Sequence, residues 1–108
     1  MDNLIIVENI KKKFQKNGIS AEKIIAEGKS KTREEMLKKY NQIDIALDPF
    51  PYSGITTSFE SIWMGVPLYV LKGNNFYSRT GISINKNLGM EDWIANNKKD
   101  YFIKILKL

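Results

Sequence analysis

The stretch 43–71, IDIALDPFPYSGITTSFESIWMGVPLYVL, decides the fold. Ile43–Asp48 is a mostly apolar strand candidate, and Pro49 ends it because proline cannot continue a central ladder. Phe59, Ile62 and Trp63 recur at helical spacing and predict a helix over 58–65, closed by Gly65 and Pro67, with Phe59 and Trp63 as core side chains. Leu68-Tyr69-Val70-Leu71 is an unbroken apolar run of strand length, the kind that a parallel sheet buries on both faces. Strand, turn, helix and strand in that order form a βαβ unit.

The flanks extend the alternation. Residues 4–17 place Val7, Ile10 and Phe14 at helical spacing among lysines, which predicts an amphipathic helix with one buried face and Gly18 as its cap. Lys23-Ile24-Ile25-Ala26 reads as a brief β-branched strand. Thr32-Arg33-Glu34-Glu35 has the pattern of a capping box and opens a helix carrying Met36, Leu37 and Tyr40. After the turn at 72–75, residues 77–88 read as a helix up to Gly89. Asn96 or Asn97 then starts a terminal helix with Tyr101, Phe102, Ile105 and Leu106. The expected architecture is α/β: a short parallel sheet of three strands (23–26, 43–48 and 68–71) with flanking helices and an unfinished edge.

Composition narrows the chemistry. The chain has 108 residues, 43% apolar and 27% charged, which suits one globular domain over 1–108. It contains no cysteine and no histidine. Disulfides, thiolate metal sites, cysteine nucleophiles and imidazole acid–base chemistry are therefore excluded for this chain. The formal charge of +5 attracts anions. Its lysines, however, fall on solvated helix faces and lack the interleaved aromatics of a nucleic-acid stacking platform. No stretch approaches the ~20 apolar residues of a membrane span, and the start lacks a signal-peptide pattern, so the expectation is a cytoplasmic protein.

Ligands of open α/β sheets sit outside the carboxyl ends of the strands, where the loop from Asp48 to Thr57 emerges. A helix N-terminus presents unpaired amides and roughly half a positive charge, enough to hold a phosphate without a cationic side chain. Thr56 and Thr57 would donate to phosphate oxygens beside those amides. Gly54 would let the backbone approach, with Pro49 and Pro51 stiffening the turn. Thr57-Ser58-Phe59-Glu60 equally fits a capping box, in which Thr57 accepts from an amide and Glu60 reaches back. Asp44 and Asp48, four apart on a strand, would lie ~13 Å apart, too far to act together on one bond. No catalytic constellation and no metal motif emerges.

The run from Asp44 to Pro67, LDPFPYSGITTSFESIWMGVP at its heart, resembles the donor-binding lobe of the O-linked N-acetylglucosamine transferase family, which includes bacterial tetratricopeptide-repeat transferases. Ser78-Arg79, Gly81, Ser83, Leu88-Gly89, Trp93-Ile94 and Asp100-Tyr101 continue the likeness over nearly the whole chain. The resemblance implies the C-terminal half of the donor domain of a GT-B glycosyltransferase, a partial Rossmann-like three-layer lobe. It further implies a UDP-sugar donor such as UDP-N-acetylglucosamine, inverting transfer to serine or threonine of proteins, and no metal or other cofactor.

Carried over by position, Thr56 and Thr57 would contact the diphosphate, Glu60 the ribose hydroxyls, and Arg33 the region of phosphate and uracil. Animal members have histidine where this chain has Ile55 and Met36, so those imidazole contacts are absent. The resemblance places the catalytic residues and the protein-acceptor site outside this chain. The expectation is a fragment inactive by itself, with a free-standing nucleotide-sugar module, or a small subunit pairing with a separate chain, as the alternative.

Overall fold

A computed structural model describes residues 4–108, which divide into two compact units, 4–36 and 37–108, with the division falling within the second helix.

In the first unit, α1 (Leu4–Lys16) ends on Asn17 and Gly18, whose φ of +84° is the left-handed conformation a glycine cap supplies. The predicted buried face is not realised: none of its residues is buried, and Phe14 remains 40% exposed. Its packing neighbour in the unit is the single 3-10 turn Ala21–Lys23, too short to cover an apolar stripe. The predicted strand at 23–26 is also absent. Ile24 has an extended backbone, but no strand among the described residues pairs with the run, and Ile25 is 82% exposed. β-propensity sets the backbone conformation; a strand also requires a partner. The start of α2 (Arg33–Lys39) follows the sequence pattern closely. The Glu35 amide donates to Thr32 Oγ1 and the Lys31 amide to Glu35 Oε2, each at 3.1 Å.

The second unit holds a three-stranded parallel sheet in the order β1 (Ala46–Leu47), β2 (Leu68–Leu71), β3 (Ile94–Ala95). Ala46 pairs with Leu68 and Leu47 with Tyr69; Val70 pairs with Ile94 and Leu71 with Ala95. The third strand is therefore 94–95 rather than 23–26. The strand expected over 43–48 is confined to Ala46–Leu47, because only these residues have a partner. In a parallel pair alternate residues turn their amides to opposite edges. Ala46 and Asp48 donate to Pro67 and Tyr69 of the β2 side, which leaves Leu47 facing the outer edge. Among the described residues β1 and β3 each pair only with β2, so both are edges of the sheet.

Side chains on β2 alternate between two cores. Leu68 and Val70 pack with Ile82 and Ile94, joined by Ala46 and Ile62, under α3 (Thr56–Trp63) and α4 (Thr80–Asn87). Tyr69 packs with Ala95 and Tyr101 under α5 (Lys98–Ile105), and its hydroxyl donates to the Tyr101 carbonyl at 2.6 Å. Helices on both faces of the sheet make the three layers expected of the lobe. Asn85, fully buried on α4, donates through Nδ2 to the carbonyls of Leu68 and Trp93 and so ties α4 to the starts of β2 and β3.

Several element boundaries differ from the expectation. α3 begins at Thr56, two residues early, and the expected helix over 77–88 is a 3-10 turn at Phe76–Ser78 followed by α4. Asn97 caps α5 as its type predicts, accepting from the Asp100 amide at 2.8 Å. Trp63 and Phe59 are not core residues: they are 86% and 56% exposed. α3 instead rests on the sheet through Ile62 and the small side chains of Ser58 and Ser61.

Candidate functional site

The site forms where β1 ends and α3 begins. Ile55 is the N-cap of α3 and makes no side-chain cap bond, and the first bond of the helical ladder runs from the Phe59 amide to the Ile55 carbonyl at 3.1 Å. The amides of residues 56–58 precede that ladder, as the first turn of any helix requires. Thr56 and Thr57 are exposed and occupy the first two helical positions. The Thr57–Glu60 capping box expected as one alternative is therefore not formed: with the helix starting at Thr56, Thr57 is inside it and cannot act as its N-cap.

Asp48 lies at the end of β1 and is 3% exposed. Its Oδ1 accepts from the Gly54 amide at 2.9 Å, and the hydroxyls of Ser53 and Ser58 also hydrogen-bond to its carboxylate. Burial pushes the Asp48 carboxyl above its ordinary range, against the lowering effect of those three donors. From α4, the Thr80 hydroxyl donates to the Gly54 carbonyl at 3.3 Å. The Ser53 amide donates to the Tyr77 carbonyl at 2.6 Å, and the Tyr52 and Tyr77 rings stack 4.6 Å apart. The turn is thus anchored to two neighbouring segments.

Gly54 sits close against the first turn of α3. A Cβ there would stand 2.6 Å from Thr57 Oγ1 and 2.9 Å from Ser58 Oγ.

Glu60 lies one turn into α3 and is 8% exposed. Its charge, after burial, is the second influence raising the pKa of Tyr40, whose hydroxyl donates to the Thr57 carbonyl at 3.4 Å. A cavity of about 150 Å³ opens beside these groups, lined by Tyr40, Leu47, Asp48, Pro49, Thr57 and Ser58 among others. Small-molecule sites usually span ~300–1,000 Å³. This cavity can hold only part of a nucleotide sugar. A larger, mainly apolar groove of about 640 Å³ runs along α3 and α4 past Ile55, Phe59 and Phe76.

Thr57 lines the cavity beside Asp48 and Ser58, with Thr56 its neighbour in the first turn and Gly54 beneath. Arg33 is the exposed first residue of α2, in the first unit. Asp48, Ser58 and Tyr40 were not legible as site residues. Asp48 stood out only as half of an unsuitable pair with Asp44, which is exposed outside the strand. The usable signal was an aspartate at a strand end followed by Ser53-Gly54 and Ser58, hydrogen-bonding residues within reach of one carboxylate. Among the described residues no group of three or more acidic side chains could hold a metal ion, and no helix is long and apolar enough to cross a membrane.

The sequence pattern of Glycosyl transferase family 41 matches residues 5–108. The probable UDP-N-acetylglucosamine–peptide N-acetylglucosaminyltransferase SPINDLY of Solanum lycopersicum is 38% identical over 72 residues, 67% of this chain and 8% of that protein. Its counterpart from Arabidopsis thaliana is 37% identical over 65 residues, 60% of this chain and 7% of that protein. Among solved structures, a variant of the Thermobaculum terrenum O-GlcNAc transferase superposes with a TM-score of 0.92 at 30% identity, covering 97% of this chain and 20% of that one. The chain thus spans less than a tenth of the length of these curated relatives.

Proposed function

The chain belongs to Glycosyl transferase family 41, and we propose from this that it supplies part of the donor-binding side of a protein O-GlcNAc transferase-like enzyme. The donor is a UDP-sugar, UDP-N-acetylglucosamine or a close relative, and the acceptor is a serine or threonine hydroxyl of a protein. The observation that carries the reading is the first turn of α3. Its amides have no side-chain cap, and two exposed threonine hydroxyls stand among them at the carboxyl end of β1.

In an inverting transfer the acceptor oxygen attacks the anomeric carbon as the bond to UDP breaks, and negative charge grows on the departing diphosphate. Helix-end amides and hydroxyls oriented beforehand stabilise that charge, and no metal is needed for this part of the work. Glu60 would reach the ribose hydroxyls from the second turn and Arg33 the region of phosphate and uracil. The acceptor hydroxyl must be held by groups outside this chain, through pairing with the remainder of the enzyme, in a cytoplasmic setting. Positioning two reactants contributes ~7–11 kcal/mol to lowering a barrier, so half a cleft should not turn over.

Titration with UDP tests the reading, followed by incubation with radiolabelled UDP-N-acetylglucosamine and a serine-rich peptide. Saturable UDP binding without transfer is expected. Absence of UDP binding would overturn the donor role, and robust transfer by the chain alone would overturn the division of labour.

A further inference from the structure

The carboxylate of Asp48 lies between the first turns of two helices. On one side it receives the Gly54 amide and the Ser58 hydroxyl at the start of α3. On the other it is so close to Gly81, the second residue of α4, that a Cβ there would stand 2.6 Å from Oδ2. The positive ends of both helix dipoles therefore face one buried carboxylate, an arrangement that favours its charge while the surrounding protein disfavours it. The Thr80 hydroxyl on the Gly54 carbonyl completes a clamp on the turn from both helices.

We propose that Asp48 is the positioning residue of the donor site: it holds the 49–54 turn so that α3 starts at Thr56 and its outermost amides and hydroxyls are left for a diphosphate. The inference rests on the donor reading above. Asp48 acts through the turn that it holds. It takes the inner donors, Gly54 and Ser58, for its own hydrogen bonds, and Thr56 and Thr57 remain at the surface. Without the carboxylate, the Gly54 amide loses its acceptor, and the helix is free to start later, with Thr57 as an ordinary cap.

Amide hydrogen exchange on the ligand-free 108-residue chain decides the inference, and UDP titration on the same samples decides the donor reading. In Asp48→Ala, the Gly54 amide, which loses its acceptor, and the Phe59 amide, which closes the first bond of the helical ladder, should exchange about tenfold faster, the equivalent of releasing one residue's backbone, while Tyr69 and Val70 keep their protection. UDP affinity should fall by a similar factor, and Asp48→Asn, which keeps an acceptor for Gly54, should restore most of both.

Unchanged exchange at either the Gly54 or the Phe59 amide in Asp48→Ala would overturn the inference. So would loss of protection spread evenly over β2, which marks a general packing role. If Asp48→Ala does not fold, Ser58→Ala removes only the helix-side donor: faster exchange at Phe59, the first bonded amide of α3, supports the inference and unchanged exchange there refutes it. Failure of the unsubstituted chain to bind UDP would refute the donor reading, and the exchange result would still report whether Asp48 orders the turn.

Discussion

Gly81 passes Asp48 so closely that no side chain fits between them: a Cβ on Gly81 would lie 2.6 Å from Asp48 Oδ2 and 2.9 Å from Val70 Cγ2. Both neighbours are buried, Asp48 just beyond the end of β1 and Val70 within β2. Gly81→Ala should therefore destabilise the chain by about 1–3 kcal/mol through overpacking, read as a lower urea midpoint with an unchanged slope. Gly65 is the control of a different kind. It has open space around its Cβ position but a φ of +80°, so Gly65→Ala should cost about 1–2 kcal/mol through the backbone alone.

Two carboxylates give opposite pH dependences. Burial lifts Asp48 above its ordinary value of 3.8, so the folded chain binds that proton more tightly than the unfolded chain. Its contribution is greatest below the ordinary value and declines as pH rises through the folded one. Asp100, held down chiefly by the Asn96 amide and then by Lys104, contributes above its ordinary value and loses that contribution as pH falls. Thermal melts across about pH 3 to 7 should show the decline toward neutrality removed in Asp48→Asn and the acid-side loss reduced in Asp100→Asn.

The terminal helix is fastened by one buried hydrogen bond. Tyr69→Phe removes the donor to the Tyr101 carbonyl, 2.6 Å away in the unsubstituted chain, and leaves that carbonyl without its buried partner. A loss of about 1–3 kcal/mol is expected. Hydrogen exchange should rise first in α5, while the protection of α4 amides is retained.

How much of this was legible depended on whether the deciding contacts were local. Leu68–Leu71 could be read as a buried strand because four consecutive apolar residues have few other uses. The cap at Asn97 and the capping box around Thr32 were also readable, since each is complete within a few residues. Ile24–Ala26 misled because β-branched residues set a backbone conformation and cannot supply a neighbour. Ile94–Ala95 was missed for the converse reason: two residues carry no periodicity, and only β2 makes them a strand. The start of α3 was misplaced because Thr57 and Glu60 fit a capping box, whereas the turn is held by Asp48 and Thr80, contacts that no window of neighbouring residues displays. The helical spacing of Phe59 and Trp63 marks them as the packed side of α3, yet the sheet is approached through Ile62 and two serines.

The donor role of the α3 N-terminus is tested most directly by titrating UDP into the isotope-labelled chain and into Thr57→Val and Thr56→Val. The account predicts saturable shifts centred on the amides of residues 56–58 and an affinity lowered roughly ten- to hundredfold in Thr57→Val, the range of a hydrogen bond to a charged group. Saturable binding that leaves those amides unmoved, or that survives both substitutions unchanged, would contradict it.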